Sequence, residues 1–283
     1  MHSNLLAILF ALASALTIAW GTVVRHQIAQ DAQIDEGFHS SPLWNALTNP
    51  RWWLGTGTAM LGYAFQVVAL GFGALLVVQP ILVLKLMFTL PLAAHVQGRV
   101  MSRSEVFWAS LLTVAIGVLV LLGRPIPGDP HVPLIRWIWA LSIGTVILST
   151  AIWYANRITG SRRALILGLA TGATFGYVAV LSKAVVDNFT THGIQGLLMG
   201  WETYALVLGA TLGTIIQQYS FNAGALSNSL PAMTIGEPIC AFQLGYLVLG
   251  ERFQVSSAAG WIAMGVALVA MIAATTQLTK STI

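Results

Sequence analysis

A chain of 283 residues that is 57% hydrophobic and only 8% charged cannot be an ordinary soluble domain, in which about a quarter of the residues carry charge. Its mean hydropathy of +0.79 is that of an integral membrane protein, and its net charge of +4 sits in loops between apolar runs, where it reports orientation in a bilayer instead of affinity for nucleic acid. Cys240 is the only cysteine, which excludes an internal disulfide and a cysteine-rich metal site.

Uncharged runs near the roughly 20 residues that cross a hydrocarbon core predict nine spanning helices. The first covers 4–24; its "ALASA" string has the small residues of a signal cleavage site, but no basic segment precedes it, so the helix is expected to be a true span. A polar segment from Arg25 to Arg51 follows, with a short surface helix expected around Pro42–Leu47. The turn signal "LGFGA" at 70–74 separates helices at 52–72 and 74–97, and a fourth covers 105–123. "GRPIPGDPHVP", 123–133, is a stiff proline-rich linker before a fifth helix at 135–155. Beyond the basic loop "GSRRA" the sixth helix covers 164–186, and Asp187, His192 and Glu202 are expected to flank a solvated loop. The signal "SFNAGA" at 220–225 parts helices at 202–221 and 224–250, and the ninth covers 256–277.

This alternation puts Arg25, Arg51, Arg99, Arg103, Arg157, Arg162, Arg163 and Lys280 on one face, against Arg124, Arg136, Lys183 and Arg252 on the other. The positive-inside rule then predicts a multi-pass protein of the cell membrane with its N-terminus outside and its C-terminus in the cytoplasm.

Sliding the chain along itself by 151 positions lays Gly62 on Gly213, Gln66 on Gln217, Gly73-Ala74-Leu75 on Gly224-Ala225-Leu226 and Pro80 on Pro231. A shift of 157 lays Leu12, Ala13 and Thr17 on Leu169, Ala170 and Thr174, and Trp20 on Tyr177. Helices one to four (residues 1–123) thus pair with helices six to nine (164–283), and the linker and fifth helix (124–163) connect them. One connector after four spans inverts the second copy. The expected fold is therefore an all-α polytopic membrane protein of two inverted four-helix repeats, an architecture that recurs in alternating-access transporters with substrate near the midplane.

"LGERFQVSSAAGWIAMGVALV", 249–269, resembles the fourth-to-fifth helix junction of EamA-type permeases in the drug/metabolite transporter superfamily, with Leu249, Gly250, Glu251 and Arg252 carrying the match. "NPRWWLGTGTAMLGYAFQVVALGFGALLVVQPI", 49–81, is similar to the second and third helices of the NIPA-type branch, which is associated with magnesium transport. In the first half "VQGRVMSRSE", 96–105, stands where the leucine-glycine-glutamate turn is expected. The resemblance implies a bundle of nine or ten helices around a central cavity. It also implies ATP-independent movement of nucleotide sugars, amino acids, drugs, phosphorylated metabolites or lipid-linked sugars.

Of the charged residues only Lys85 and Glu237 fall well inside predicted spans. Intramembrane ionisable groups face the protein interior or a wet cavity and mark pathways. Under the 151 shift they lie one residue apart, on helices three and eight. On helix eight Ser227, Pro231, Thr234 and Glu237 share an arc of roughly 120°, and Pro231, like Pro80 on helix three, removes a backbone donor. Gln66 and Gln217 serve equally well as ligands or as interhelical glue. Trp20 and Tyr177 are candidate cavity walls. Lys85 suits a phosphate- or carboxylate-bearing substrate, soluble or lipid-linked, with Glu237 holding the ammonium when the site is empty. A magnesium or other cation path, with Glu237 as the ligand, is the second reading, and a non-transporting scaffold the third. No cofactor or enzyme motif is present: there is no H-E-x-x-H helix, Cys/His pair or phosphate-cradling loop.

Overall fold

The computed structural model describes residues 4–34, 50–96, 98, 100–129, 132–223 and 226–281. It consists of helices α1 (Asn4–Ile34), α2 (Pro50–Phe72), α3 (Leu75–Val83), α4 (Lys85–Val96), α5 (Arg103–Gly123), α6 (Leu134–Ala155), α7 (Ser161–Met199), α8 (Trp201–Ala223), α9 (Leu226–Leu244) and α10 (Ala258–Ser281), with a π-helical turn, Gly245–Leu249, closing α9. No strand occurs among the described residues; an isolated β-bridge joins Ile126 to Arg252.

A helix stands at the position of each expected span, with three changes of extent. The first runs on to Ile34, because neither glycine nor proline interrupts "RHQIAQDAQI"; the surface helix expected around Pro42–Leu47 lies outside the described residues. The third is broken at Leu84 into α3 and α4: Pro80 has no N–H, and the Leu84 N–H donates to Ile81 O (3.0 Å), tightening the turn just before Lys85. The sixth does not stop at 186 but continues to Met199, interrupted only where Gly193 adopts φ 62°. The expected loop after 186 is therefore mostly helical.

Among the described residues seven helices are long and apolar enough to cross a membrane. The described apolar stretch of α2 is Met60–Phe72, and α8 carries Glu202, Gln217, Gln218 and Asn222. Large apolar side chains cover the outside. Along α6, Ile135, Ile138, Trp139, Ile143, Val146, Ile147 and Trp153 are all exposed, a patch far beyond what water tolerates and natural in lipid.

Between helices in lipid, close packing replaces the hydrophobic drive, so interfaces favour small residues. The first half follows this rule with Ala7, Ala11, Ala15 and Ala19 fully buried on α1; α2 approaches so closely that a β-carbon on Gly62 would overlap Ile18, and Ser14 Oγ donates to Gly62 O (2.7 Å). In the second half Gly168, Gly172 and Gly176 form a stripe on α7 against the α9 backbone, where a β-carbon would meet Ser229 O, Met233 O and Glu237 O respectively. Cys240 closes that seam at Gly176.

A Gly172→Ala substitution sets its new methyl about 2.5 Å from Met233 O and is expected to cost about 1–3 kcal/mol by overpacking. Gly117→Ala on α5, with nothing within 4 Å of the added carbon, is expected to be neutral or slightly stabilising because alanine is the better helix former. Melting temperatures of the two variants in one detergent check both.

Candidate functional site

The break between α2 and α3 creates a problem that the rest of the chain solves. A helix that ends inside the bundle leaves carbonyls without donors, and one that begins there leaves amides without acceptors. The residue preceding α3 is Ala74, whose side chain offers no cap. Glu251 supplies it from across the molecule: its Oε1 accepts from the Leu75 N–H (2.7 Å) and its Oε2 from the Leu76 N–H (2.8 Å), and the residue has no solvent exposure. On the other side of the break, the Lys183 ammonium donates to Leu70 O (2.7 Å) near the end of α2 and to Asp187 Oδ1 (2.8 Å) one turn along α7. An anion thus meets the positive end of one helix dipole, and a cation meets the negative end of the other.

Local sequence explains how Glu251 reaches inward. The π-helical turn ends at Gly250, whose φ of 73° suits glycine, and the Glu251 N–H folds back to Gly245 O (3.0 Å). The linker after α5 lies over this turn: Ile126 N–H donates to Arg252 O (2.9 Å), Asp129 N–H to Leu249 O (2.8 Å) and Gln254 N–H to Gly123 O (2.9 Å). Gly128 passes so close to Leu249 O that no β-carbon fits. A cavity of about 40 Å³ remains beneath, lined by Asp129, Lys183, Asp187 and Glu251 among others, with room for water. Burial pushes the Glu251 carboxyl up to about 7, against the pull of its two amide donors and Lys183; nearby Asp187 adds to the rise.

Lys183 and Asp187 correct the sequence reading, which assigned them to the end of a helix and a solvated loop. Lys183 is only 3% exposed and both lie within α7. The signal available was their spacing of four, the helical ion-pair spacing.

The residues predicted for the site distribute as follows. Lys85 is the first residue of α4, half-buried; its carbonyl accepts from Thr89 Oγ1 (2.7 Å). Glu237 is half-buried on α9, beside the buried Pro231 and Pro238, and its backbone packs on Gly172 and Gly176. The expected Lys85–Glu237 ion pair is not formed: among the described residues Lys183–Asp187 is paired, and neither Lys85 nor Glu237 has an acid or base partner. Thr234 Oγ1 donates to Leu230 O (2.8 Å), a local bond that leaves its lone pairs to the seam. Gln217 reaches α9, its Nε2 lying 3.8 Å from Met233 Sδ, while Gln66 is half-buried on α2. Pro80 is fully within the core, and the neighbouring Gln79 has a buried Nε2 without an acceptor. Tyr177 is taken up in packing: its hydroxyl donates to Ala140 O (2.7 Å) and its ring covers Gly144, tying α7 to α6. Trp20 is 49% exposed on α1. The Ser227 side chain lies outside the described residues.

Apolar spanning helices around a buried charge cluster and broken, proline-bearing helices define a polytopic, all-helical membrane protein. The chain is 62% identical over 281 residues, 99% of its own length and 97% of the relative's, to the "Uncharacterized protein Cgl0250/cg0304" of Corynebacterium glutamicum, and it belongs to the same family as that protein. No family model matches the sequence, and no solved structure matches it.

The position of Glu251 has a pH consequence. Because its carboxyl is raised from 4.5 to about 7 on folding, its contribution to stability is complete below about pH 4.5 and is lost as pH rises through 7, by about 3 kcal/mol at most. Glu251→Gln stays neutral throughout and is expected to flatten the decline in melting temperature between pH 5 and pH 7.5. Parallel pH profiles for the two proteins would show that this carboxyl does not titrate in that window.

Proposed function

We propose that this protein is a secondary transporter of the drug/metabolite type, resident in the cell membrane with its arginine-rich face in the cytoplasm. It carries a small organic anion, with phosphorylated metabolites and lipid-linked phosphates as the candidate substrates. The observation that carries this reading is Lys85: an ammonium halfway along the 22-residue span Leu75–Val96, at a helix break, half-buried and without an acid partner. A charge at that depth costs about 2.5–3.5 kcal/mol on insertion scales, a cost a purely structural helix has no reason to retain.

The end of that span is fixed to the end of the Ser229–Leu249 span by the Glu251 clamp. At about 1.5 Å per residue, Lys85 lies about 15 Å from Leu75 and Glu237 about 18 Å from Leu249, so the two charges lie at similar depth. Inverted repeats over 1–123 and 164–283 around the 124–163 connector are supported by a shared contact. Gly62 meets Ile18 and Gly213 meets Phe175, residue pairs that exchange under the 151 and 157 shifts.

The cation reading has less support. Among the described residues no three His, Cys, Asp or Glu side chains are placed so that they could hold a metal ion, whereas a largely hydrated divalent cation favours several oxygen ligands, and Lys85 would repel it. A scaffold without substrate leaves the unpaired lysine unexplained.

Uptake into proteoliposomes tests the proposal. Lys85→Gln is expected to lower transport of the anionic substrate about tenfold or more, the equivalent of one lost charge-assisted contact, at unchanged melting temperature. Undiminished uptake of every anionic candidate, together with magnesium-dependent stabilisation abolished by Glu237→Gln, would replace the anion by a cation.

A further inference from the structure

A second site lies at the ends of the Leu134–Ala155 and Ser229–Leu249 spans, over the Glu251 clamp. The linker after α5 and the turn after α9 enclose an open pocket of about 440 Å³, walled by Pro127, Tyr246 and Leu247 and carrying the charges of Asp129, Arg136 and Arg252. That volume is in the range of small-molecule sites. Both arginine side chains are exposed and neither has a carboxylate partner among the described residues.

Both are nonetheless held in place. The Arg252 guanidinium stacks on the Tyr246 ring at 4.0 Å from its centroid, a cation–π contact that fixes its plane. Arg136, in the first turn of α6, donates from Nη1 to Val248 O (3.4 Å). The backbone bonds of the linker to Leu249, Arg252 and Gln254 keep the walls together. Two guanidiniums fixed by packing, each with N–H donors in a planar fork, match the oxygens of a phosphate. A phosphate monoester carries close to two negative charges at neutral pH, and the two arginines outweigh Asp129 to leave the pocket net positive. The pocket also has a fitting depth: it lies between the last turn of the Ser229–Leu249 span and the first turn of Leu134–Ala155. At that same end Trp137 packs edge-on against Trp201, as aromatic residues do at membrane interfaces.

We propose that this pocket is a binding site for the phosphate group of an organic phosphate, with Arg136 and Arg252 holding the phosphate oxygens and Pro127, Tyr246 and Leu247 receiving the apolar body. Asp129 at the rim favours ligands that leave its side uncharged. The same chemistry is offered by a soluble phosphate ester and by the headgroup of an anionic lipid, and the site stands independently of the transport reading.

The test uses the full chain. Phenyl phosphate is titrated calorimetrically into protein in a neutral detergent, and melting is followed in nanodiscs with and without phosphatidic acid. Binding by at least one of the two probes is expected, weakened about tenfold by Arg136→Gln or by Arg252→Gln, abolished in the double variant and retained in Lys85→Gln. A response to phenyl phosphate alone assigns the site to soluble esters, and one to phosphatidic acid alone assigns it to lipid. Absence of both responses, or binding that survives the double substitution, overturns the proposal. Should the double variant melt early, Arg252→Lys decides: it keeps the charge and loses the fork, so a weaker response at unchanged melting temperature supports the site and an unchanged response refutes it.

Discussion

A helix end packed into the interior of a protein leaves backbone groups without partners, and this molecule meets that need with charged side chains at the turn between α2 and α3. The break at 73–74 ends α2 and starts α3 with an alanine where a capping side chain is usual. Lys183 satisfies the outgoing carbonyl of Leu70 and Glu251 the incoming amides of Leu75 and Leu76. Both charges come from the second half of the chain, so the contact is tertiary where an ordinary cap is local. It also ties the start of α3 to the turn that closes α9.

Close approach does the remaining positioning. Glycines on α7 bring the α9 backbone within van der Waals reach, and alanines on α1 do the same for α2. Prolines 80, 231 and 238 withdraw donors from the helices so positioned, leaving carbonyls in the interior that regular helices would have satisfied. Apolar packing holds the frame and broken backbone supplies the polarity, with Lys85 and Glu237 placed where the two meet.

How far this could be read from the sequence depended on whether a signal was local. Spanning helices follow from hydropathy alone, and the turn signals at 70–74 and 220–225 parted neighbouring helices correctly. Lys85 and Glu237 stood out because each interrupts a long apolar run. Lys183 did not, since it lies close to where that run gives way to polar residues, and the continuation of α7 to Met199 passes through a polar stretch that hydropathy reads as a loop. Glu251 was visible as part of a leucine-glycine-glutamate turn, but its task of capping a helix 176 positions away has no local trace. The arginine pocket was equally hidden, because Arg136 and Arg252 meet only once the proline-rich linker has folded across the turn.

The clamp also bears on biogenesis. When the first hundred residues leave the ribosome, the ends of α2 and α3 have no partners, because Lys183 and Glu251 are still to be synthesised. Until the later helices insert, the turn between α2 and α3 depends on interfacial water for those bonds, which makes the completed contact a product of both halves. A chain severed in the loop after α6 would assemble only if both fragments were made together.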